Sequence, residues 1–151
     1  MATGASSPNF DDRHIRWQTL GDFKHLSVMV LDIDVSNNIV DFLVKFEPNE
    51  QIFVHRHLAP TNILVIDGEH VVYETSGAAV KNVRQTGKAW ITPKGDAHTE
   101  GGGSAGAIVH YSVRGETDAL FEVLNDALTT AGILRTSDFT AILKEQGPTG
   151  E

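Results

Sequence analysis

The sequence predicts an all-β protein, a sandwich or barrel of about eight or more short strands, on three observations. Apolar segments of strand length recur at close spacing, glycine-based turn signals separate them, and one segment alternates cleanly. In Ile39–Glu47, Val40, Phe42, Val44 and Phe46 fall on one face and Asp41, Lys45 and Glu47 on the other, the period of a half-buried strand. Alongside it stand His25–Val35, Gln51–His57, Asn62–Asp67, His70–Glu74, Ala79–Val83, Ala89–Pro93 and Gly106–Arg114. Asn37-Asn38, Asp67-Gly68, Ser76-Gly77 and Lys94-Gly95-Asp96 supply the turns. Leu120, Val123, Leu124 and Leu128 sit at helical spacing, while Leu120–Asn125 fits a strand equally well. Residues 137–145 read as a short helix with Ser137 as N-cap.

A chain of 151 residues with 40% hydrophobic and 21% charged residues is the size and composition of one globular domain. We place its body at 13–146, with a flexible tail at 1–12 and a frayed end at 147–151. There are no cysteines, so disulfides, thiol catalysis and thiolate metal sites are excluded and any metal must sit on nitrogen or oxygen. The net charge of -8, without a basic run, argues against nucleic acid and against an anionic membrane surface as partners. Met1–Asp12 has neither the basic start nor the apolar run of a signal peptide, and no later stretch has the length of a membrane span, so a cytoplasmic protein is expected.

Two features point to a metal. His55-Arg56-His57 puts two imidazoles on the same face of an extended strand, and imidazole suits iron, zinc, copper and nickel. Gly87, Pro93, Gly95 and His98 then fit G-x5-P-x-G-x2-H without a gap: a strand ending at Pro93, a tight turn, and a histidine presented beyond it.

In these residues the chain resembles the cupin superfamily. Its first motif, G-x5-H-x-H-x3,4-E-x6-G, is met by His55, His57 and the closing Gly68, with Asn49 in place of the opening glycine. Its second, G-x5-P-x-G-x2-H-x3-N, is met up to His98, with Gly102 in place of the final Asn. The resemblance covers roughly Asn49 to Gly102. It implies a single-domain double-stranded β-helix (a jelly-roll barrel) with a short carboxy-terminal helix, and a divalent metal on His55, His57 and His98.

The chain departs from the family pattern at the motif-one glutamate, where Asn62 stands at the four-residue spacing and Thr61 at the three-residue spacing. We therefore expect three neutral imidazoles without a motif-one carboxylate, a centre that favours a chelating anion. That arrangement is similar to the three-histidine iron(II) cupins that cleave β-diketones, such as acetylacetone dioxygenase. The segment from His55-Arg56-His57 through Pro60 to Gly68 also resembles the dihydroxyacetophenone dioxygenases. The resemblance implies Fe(II), with Zn, Ni or Mn as alternatives, and a small-molecule substrate and O2 as partners.

The remaining candidates carry plainer readings. Glu100, two residues past His98, could reach the metal or act as a base behind its ligands, but a solvated turn residue beside Gly101-Gly102-Gly103 is the simpler expectation. Gly101–Gly106 lacks the Lys and helix of a phosphate loop and reads as a flexible connection at the barrel mouth. Asn62 and His110 are candidates to support the site, His110 as a proton relay, although a core or surface histidine is the simpler reading. Trp90, Phe53, Leu64 and Tyr111 are candidate pocket walls, and His14, His25 and His70 are assigned nothing.

The leading expectation is a mononuclear non-haem iron(II) dioxygenase that cleaves a C–C bond beside a carbonyl in a β-diketone or α-hydroxyketone, within a dry, apolar pocket. A non-catalytic zinc cupin, similar to the cupin-like domain of zinc anti-sigma factors, and a metal-assisted lyase or isomerase are the alternatives. Val28, Val30 and Ile33 make His25–Val35 an edge in need of cover, and together with the family resemblance this predicts a homodimer or higher homo-oligomer.

Overall fold

The alternation of Val40, Phe42, Val44 and Phe46 organises the molecule. All four are buried and pack in one core with Val28, Val30, Val109, Tyr111 and Val113. Each such side chain contributes about 1.5–3 kcal/mol by leaving water. A computed structural model describes residues 10–147, so positions 1–9 of the expected tail at 1–12 and 148–151 of the expected frayed end at 147–151 lie outside the described residues. Within the expected tail, Asp12 is held by Lys45 at 2.6 Å and by the Trp17 indole N–H at 3.0 Å.

The described chain runs β1 (Leu26–Asp34), β2 (Ile39–Phe46), β3 (His55–His57), β4 (Thr61–Tyr73), β5 (Val80–Gln85), β6 (Ala89–Thr92), β7 (Ala97–Arg114), β8 (Ala119–Leu124), β9 (Thr130–Arg135) and α1 (Thr136–Gln146). All pairings between these strands are antiparallel, with order β1-β2-β7-β3-β8-β9; β4 pairs β7 and carries β5 and β6 along its other edge. The curled sheet is the all-β barrel expected from the sequence. A 3-10 turn at Val35–Asn37, closed by Asn38 at φ 54°, makes the first hairpin.

Three local expectations are corrected and one that the sequence left open is resolved. Asn62–Asp67 and His70–Glu74 form one strand, β4, because Gly68 bends through a bulge instead of turning back. Gly68 has φ 76°, and a Cβ there would meet the Gly106 carbonyl at 2.2 Å, so the two paired long strands press together at a point only glycine fits. Gly101–Gly106 is no flexible connection; it lies within β7, where Gly101 has the Glu50 carbonyl 1.8 Å from the position of a Cβ. The run is glycine because backbone presses against backbone there. Thr130–Arg135, unmarked in the sequence reading, pairs with β8 and makes Leu120–Asn125 a strand rather than a helix. Finally, α1 begins at Thr136, and its cap is the Asp138 carboxylate accepting the Arg135 N–H at 2.7 Å, in place of Ser137.

Helix α1 closes one end of the barrel with Phe139, whose ring lies 4.9 Å from Phe42. Its Gln146 side chain accepts from the Val30 N–H at 2.9 Å and donates to the Val30 carbonyl at 2.6 Å, while Gln18 pairs with Val28. The β1 edge expected to need a second chain is thus met within the chain itself at these positions. No helix among the described residues is long and apolar enough to cross a membrane.

Candidate metal centre

Strand alternation explains why the two motifs meet. On β3, His55 and His57 point inward and are buried, while Arg56 points out to Glu122 at 2.6 Å. On β7, His98 and Glu100 share the inward face. The β3–β7 ladder sets His55 directly opposite His98, and the Gly95 N–H donates to the His57 carbonyl at 3.0 Å, docking the turn of the second motif on the end of the first. One ligand atom from each of His55, His57, His98 and Glu100 can be chosen so that all four lie within 4.8 Å of one another.

Asn49, in the place of the first motif's opening glycine, adopts φ 58°. Asparagine tolerates this left-handed conformation, so the substitution keeps the approach to β3.

Glu100 corrects the expectation of a site without a carboxylate. It is 4% exposed, not a solvated turn residue, because it alternates with His98 along an inward-facing strand. Its Oε2 lies 3.0 Å from His55 Nε2 and 3.1 Å from His98 Nε2, and its Oε1 lies 3.0 Å from His70 Nε2. The buried Tyr111 hydroxyl donates to the same Oε1. Burial opposes ionisation of Glu100, yet the hydrogen bonds from His55, His70 and His98 prevail and hold its carboxyl well below the ordinary range. Burial and the neighbouring Glu100 charge push the Tyr111 hydroxyl well above its ordinary value, so it stays a donor.

The imidazoles are oriented from behind. His57 Nδ1 lies 2.9 Å from Thr61 Oγ1, and that hydroxyl donates to the Ala59 carbonyl, so His57 must supply the N–H and leave Nε2 with its lone pair. Burial, then the charge on His55, push the His57 pKa down to about 3. His55 Nδ1 faces the Phe53 carbonyl at 3.0 Å and His98 Nδ1 the Asp96 carbonyl at 3.2 Å. Burial disfavours charge on His98, but the Glu100 bond outweighs it and raises the pKa.

Other candidates fall elsewhere. Thr61 faces in, whereas Asn62 is on the outer face of β4, since neighbours in a strand point opposite ways. Asn62 therefore does not stand in for the family glutamate. His110 is likewise on the outer face, beside Asn62, Leu64 and Ile91, and relays nothing to the centre. Leu64 is 39% exposed and forms no part of the wall. Trp90 does line the cavity, Phe53 backs His55, and Tyr111 supports Glu100. The sequence reading missed His70, which is buried between Phe46 and Trp90 at 5.3 and 5.6 Å; its alternation with Val72 beyond the Gly68 bend was the available signal.

A cavity of about 210 Å³ opens on the centre, lined by His57, His70, Arg84, Trp90, His98 and Glu100. The dry, apolar pocket expected from the sequence is only a void of about 40 Å³ behind the site, among Phe42, Phe53, Phe121 and their neighbours. The open side is polar because β5 and the β6–β7 turn contribute Lys81, Asn82, Arg84 and Lys94 to it.

Fold and site together define a barrel of the cupin fold that carries a buried three-histidine, one-glutamate group. No family model and no curated relative matches the sequence. Among solved structures, the chain is similar to an acetylacetone dioxygenase from Acinetobacter johnsonii, with TM-score 0.72 and 7% identity over 97% of this chain and 96% of that one. It is also similar to an RmlC-like cupin from Ralstonia eutropha, with TM-score 0.72 and 14% identity over 97% and 92% of the two chains. A second Ralstonia eutropha protein with a cupin-like fold gives TM-score 0.71 and 15% identity over 97% and 88%. At these identities the shared property is the fold.

Proposed function

We propose that the chain is a mononuclear non-haem iron(II) dioxygenase that cleaves a C–C bond beside a carbonyl in a small enolisable ketone, a β-diketone or α-hydroxyketone, with the metal on His55, His57 and His98. The observation that carries the metal is a shortage of protons. His55 and His98 each face acceptors at both ring nitrogens, a carbonyl at Nδ1 and the Glu100 carboxylate at Nε2. A neutral imidazole has one N–H, so a cation between the Nε2 atoms and Oε2 satisfies what an uncharged pair of rings cannot. Nitrogen and carboxylate donors without sulfur suit iron, and zinc, nickel or manganese as well.

When bound, iron(II) would polarise a chelating carbonyl and supply one-electron reactivity toward O2. The chain's own contribution is positional. Carbonyls and Thr61 fix the imidazole tautomers, Tyr111 and His70 hold Glu100 from its far oxygen, and Trp90 walls a cavity smaller than the roughly 300–1,000 Å³ of drug-sized sites. With Glu100 as a fourth ligand the centre keeps a net charge near +1, which still favours an enolate. The structural likeness to an acetylacetone dioxygenase supports this reaction class.

One observation favours a second reading. Four protein donors match in number the closed set of a structural zinc site, and a non-catalytic zinc cupin would use them so. Metal analysis of protein grown in iron-supplemented medium, followed by mass spectrometry of diketone and hydroxyketone mixtures, separates the two. Stoichiometric iron and carboxylate cleavage products support the dioxygenase; stoichiometric zinc without products supports the other. A homo-oligomer, now implied by the family resemblance alone, is part of the proposal, and a light-scattering mass of 16.4 kDa would contradict it.

A further inference from the structure

We propose that Arg84 anchors an oxyanion head group of the substrate, so that the cavity takes an enolisable ketone bearing a carboxylate or phosphate ester rather than a neutral diketone. This rests on the metal-centre reading for the ketone end of the molecule and on Arg84 alone for the other.

The register of β5 places Arg84 opposite His70 and Asn82 opposite Val72, so Arg84 shares the inner face on which the cavity lies. Its guanidinium carbon sits 3.7 Å from the centroid of the Trp90 ring. That ring is itself fixed, stacked on His70 at 5.6 Å and donating its N–H to Thr92 at 3.0 Å. The guanidinium thus lies over a fixed ring at the cavity wall.

Its charge has no salt-bridge partner among the described residues, although the buried Glu100 nearby favours the charged form from a distance. Arg84 is half-buried in a chain of net charge -8, yet it makes no ion pair among the described residues. Of the other charges on the cavity, Lys94 is paired with Glu116 at 3.3 Å, Lys81 adds a second cation, and Asp96 is at the exposed mouth. Glu100 is taken up by three imidazoles and Tyr111. An arginine withdrawn from water ordinarily has a carboxylate partner, and burial already pushes this guanidinium down from its usual value. A planar fork of five donors matches a carboxylate or phosphate in two parallel hydrogen bonds. A neutral diketone filling the cavity would leave that fork unmatched.

The test pairs two ligands that differ by one carboxylate, pentane-2,4-dione and 2,4-dioxopentanoate, titrated calorimetrically into nickel-loaded protein. The acid should bind at least about tenfold more tightly, the effect of one charge-assisted hydrogen bond. Arg84→Met keeps the stem over Trp90 and should erase that preference while nickel uptake stays unchanged; Arg84→Lys should retain part of it. Equal affinities in the parent, or a preference that survives in Arg84→Met, would overturn the assignment. A second arm needs no metal: malonate and inorganic phosphate, tried in turn, should raise the melting temperature of the metal-free parent but not of Arg84→Met, and the stronger of the two identifies the head group. If neither does so, the anchor is overturned even with the nickel site intact. An oxyanion effect in a protein that takes up no metal would leave the anchor standing and sink the metal reading instead.

Discussion

His55 and His98 are register partners on neighbouring antiparallel strands, and both present Nε2 to the same oxygen of Glu100 at 3.0 and 3.1 Å. Two histidines 43 positions apart in the chain thereby become one half-site, and the first prediction follows from that pairing. His98→Ala should abolish stoichiometric metal uptake while leaving the far-ultraviolet circular dichroism of the barrel unchanged. Full occupancy in the variant would show that the ion sits elsewhere.

Glu100 and Asn62 make a matched pair of tests. Glu100→Gln preserves shape but removes the carboxylate facing His55, His70 and His98, so metal affinity should fall by at least about tenfold, in the range of a lost charged hydrogen bond. Asn62→Glu adds a carboxylate on the opposite face of β4 and should leave metal affinity within about twofold of the parent. Competition against a chromophoric chelator measures both, and a stronger effect from Asn62 would reverse the assignment.

The pH dependence of the metal-free protein follows from His57. Its pKa is pushed down from 6.5 to about 3, so the unfolded chain takes up a proton near 6.5 that the folded chain refuses until about 3. Stability from this group is complete above about pH 6.5 and is lost as pH falls toward 3, by up to about 1.4 kcal/mol per pH unit. Glu100, held well below 4.5, adds a loss of the same sign in more acidic solution. His98, whose pKa is raised, works the other way: its contribution is present below 6.5 and disappears as pH rises through the folded value. Denaturant titrations at pH 7 and pH 5 should show the parent losing stability and His57→Gln losing distinctly less. Parallel slopes in the two proteins would contradict the burial account of His57.

Gly68 tests the bulge at which the two long strands press together. Gly68→Ala combines a left-handed φ with a backbone clash against Gly106, and should cost about 2–4 kcal/mol in chemical denaturation. A cost below about 1 kcal/mol would mean that β4 bends elsewhere.

The fold was legible because its evidence is local. Period-two alternation in Ile39–Glu47, the His55–His57 pair and the run from Pro93 to His98 each lie within one strand or one turn. What was misread depends on partners distant in sequence. Gly101–Gly106 looks like a loop until Glu50 and β4 press against it, and His70 looks unremarkable until the bend at Gly68 turns it toward Glu100. Glu100 was misjudged for a simpler reason: the glycines after it suggested a turn, although its two-residue spacing from His98 already put both on one face. Arg84 carries no motif at all. Its placement depends on the register of β5 against β4, which no spacing in the chain encodes.

The central claim, iron-dependent cleavage beside a carbonyl, is tested most directly with an oxygen electrode. Iron(II)-loaded protein should consume one O2 for each molecule of 2,4-dioxopentanoate or pentane-2,4-dione cleaved, and His98→Ala should consume none. Stoichiometrically iron-loaded protein that takes up no oxygen on any diketone or hydroxyketone would contradict it.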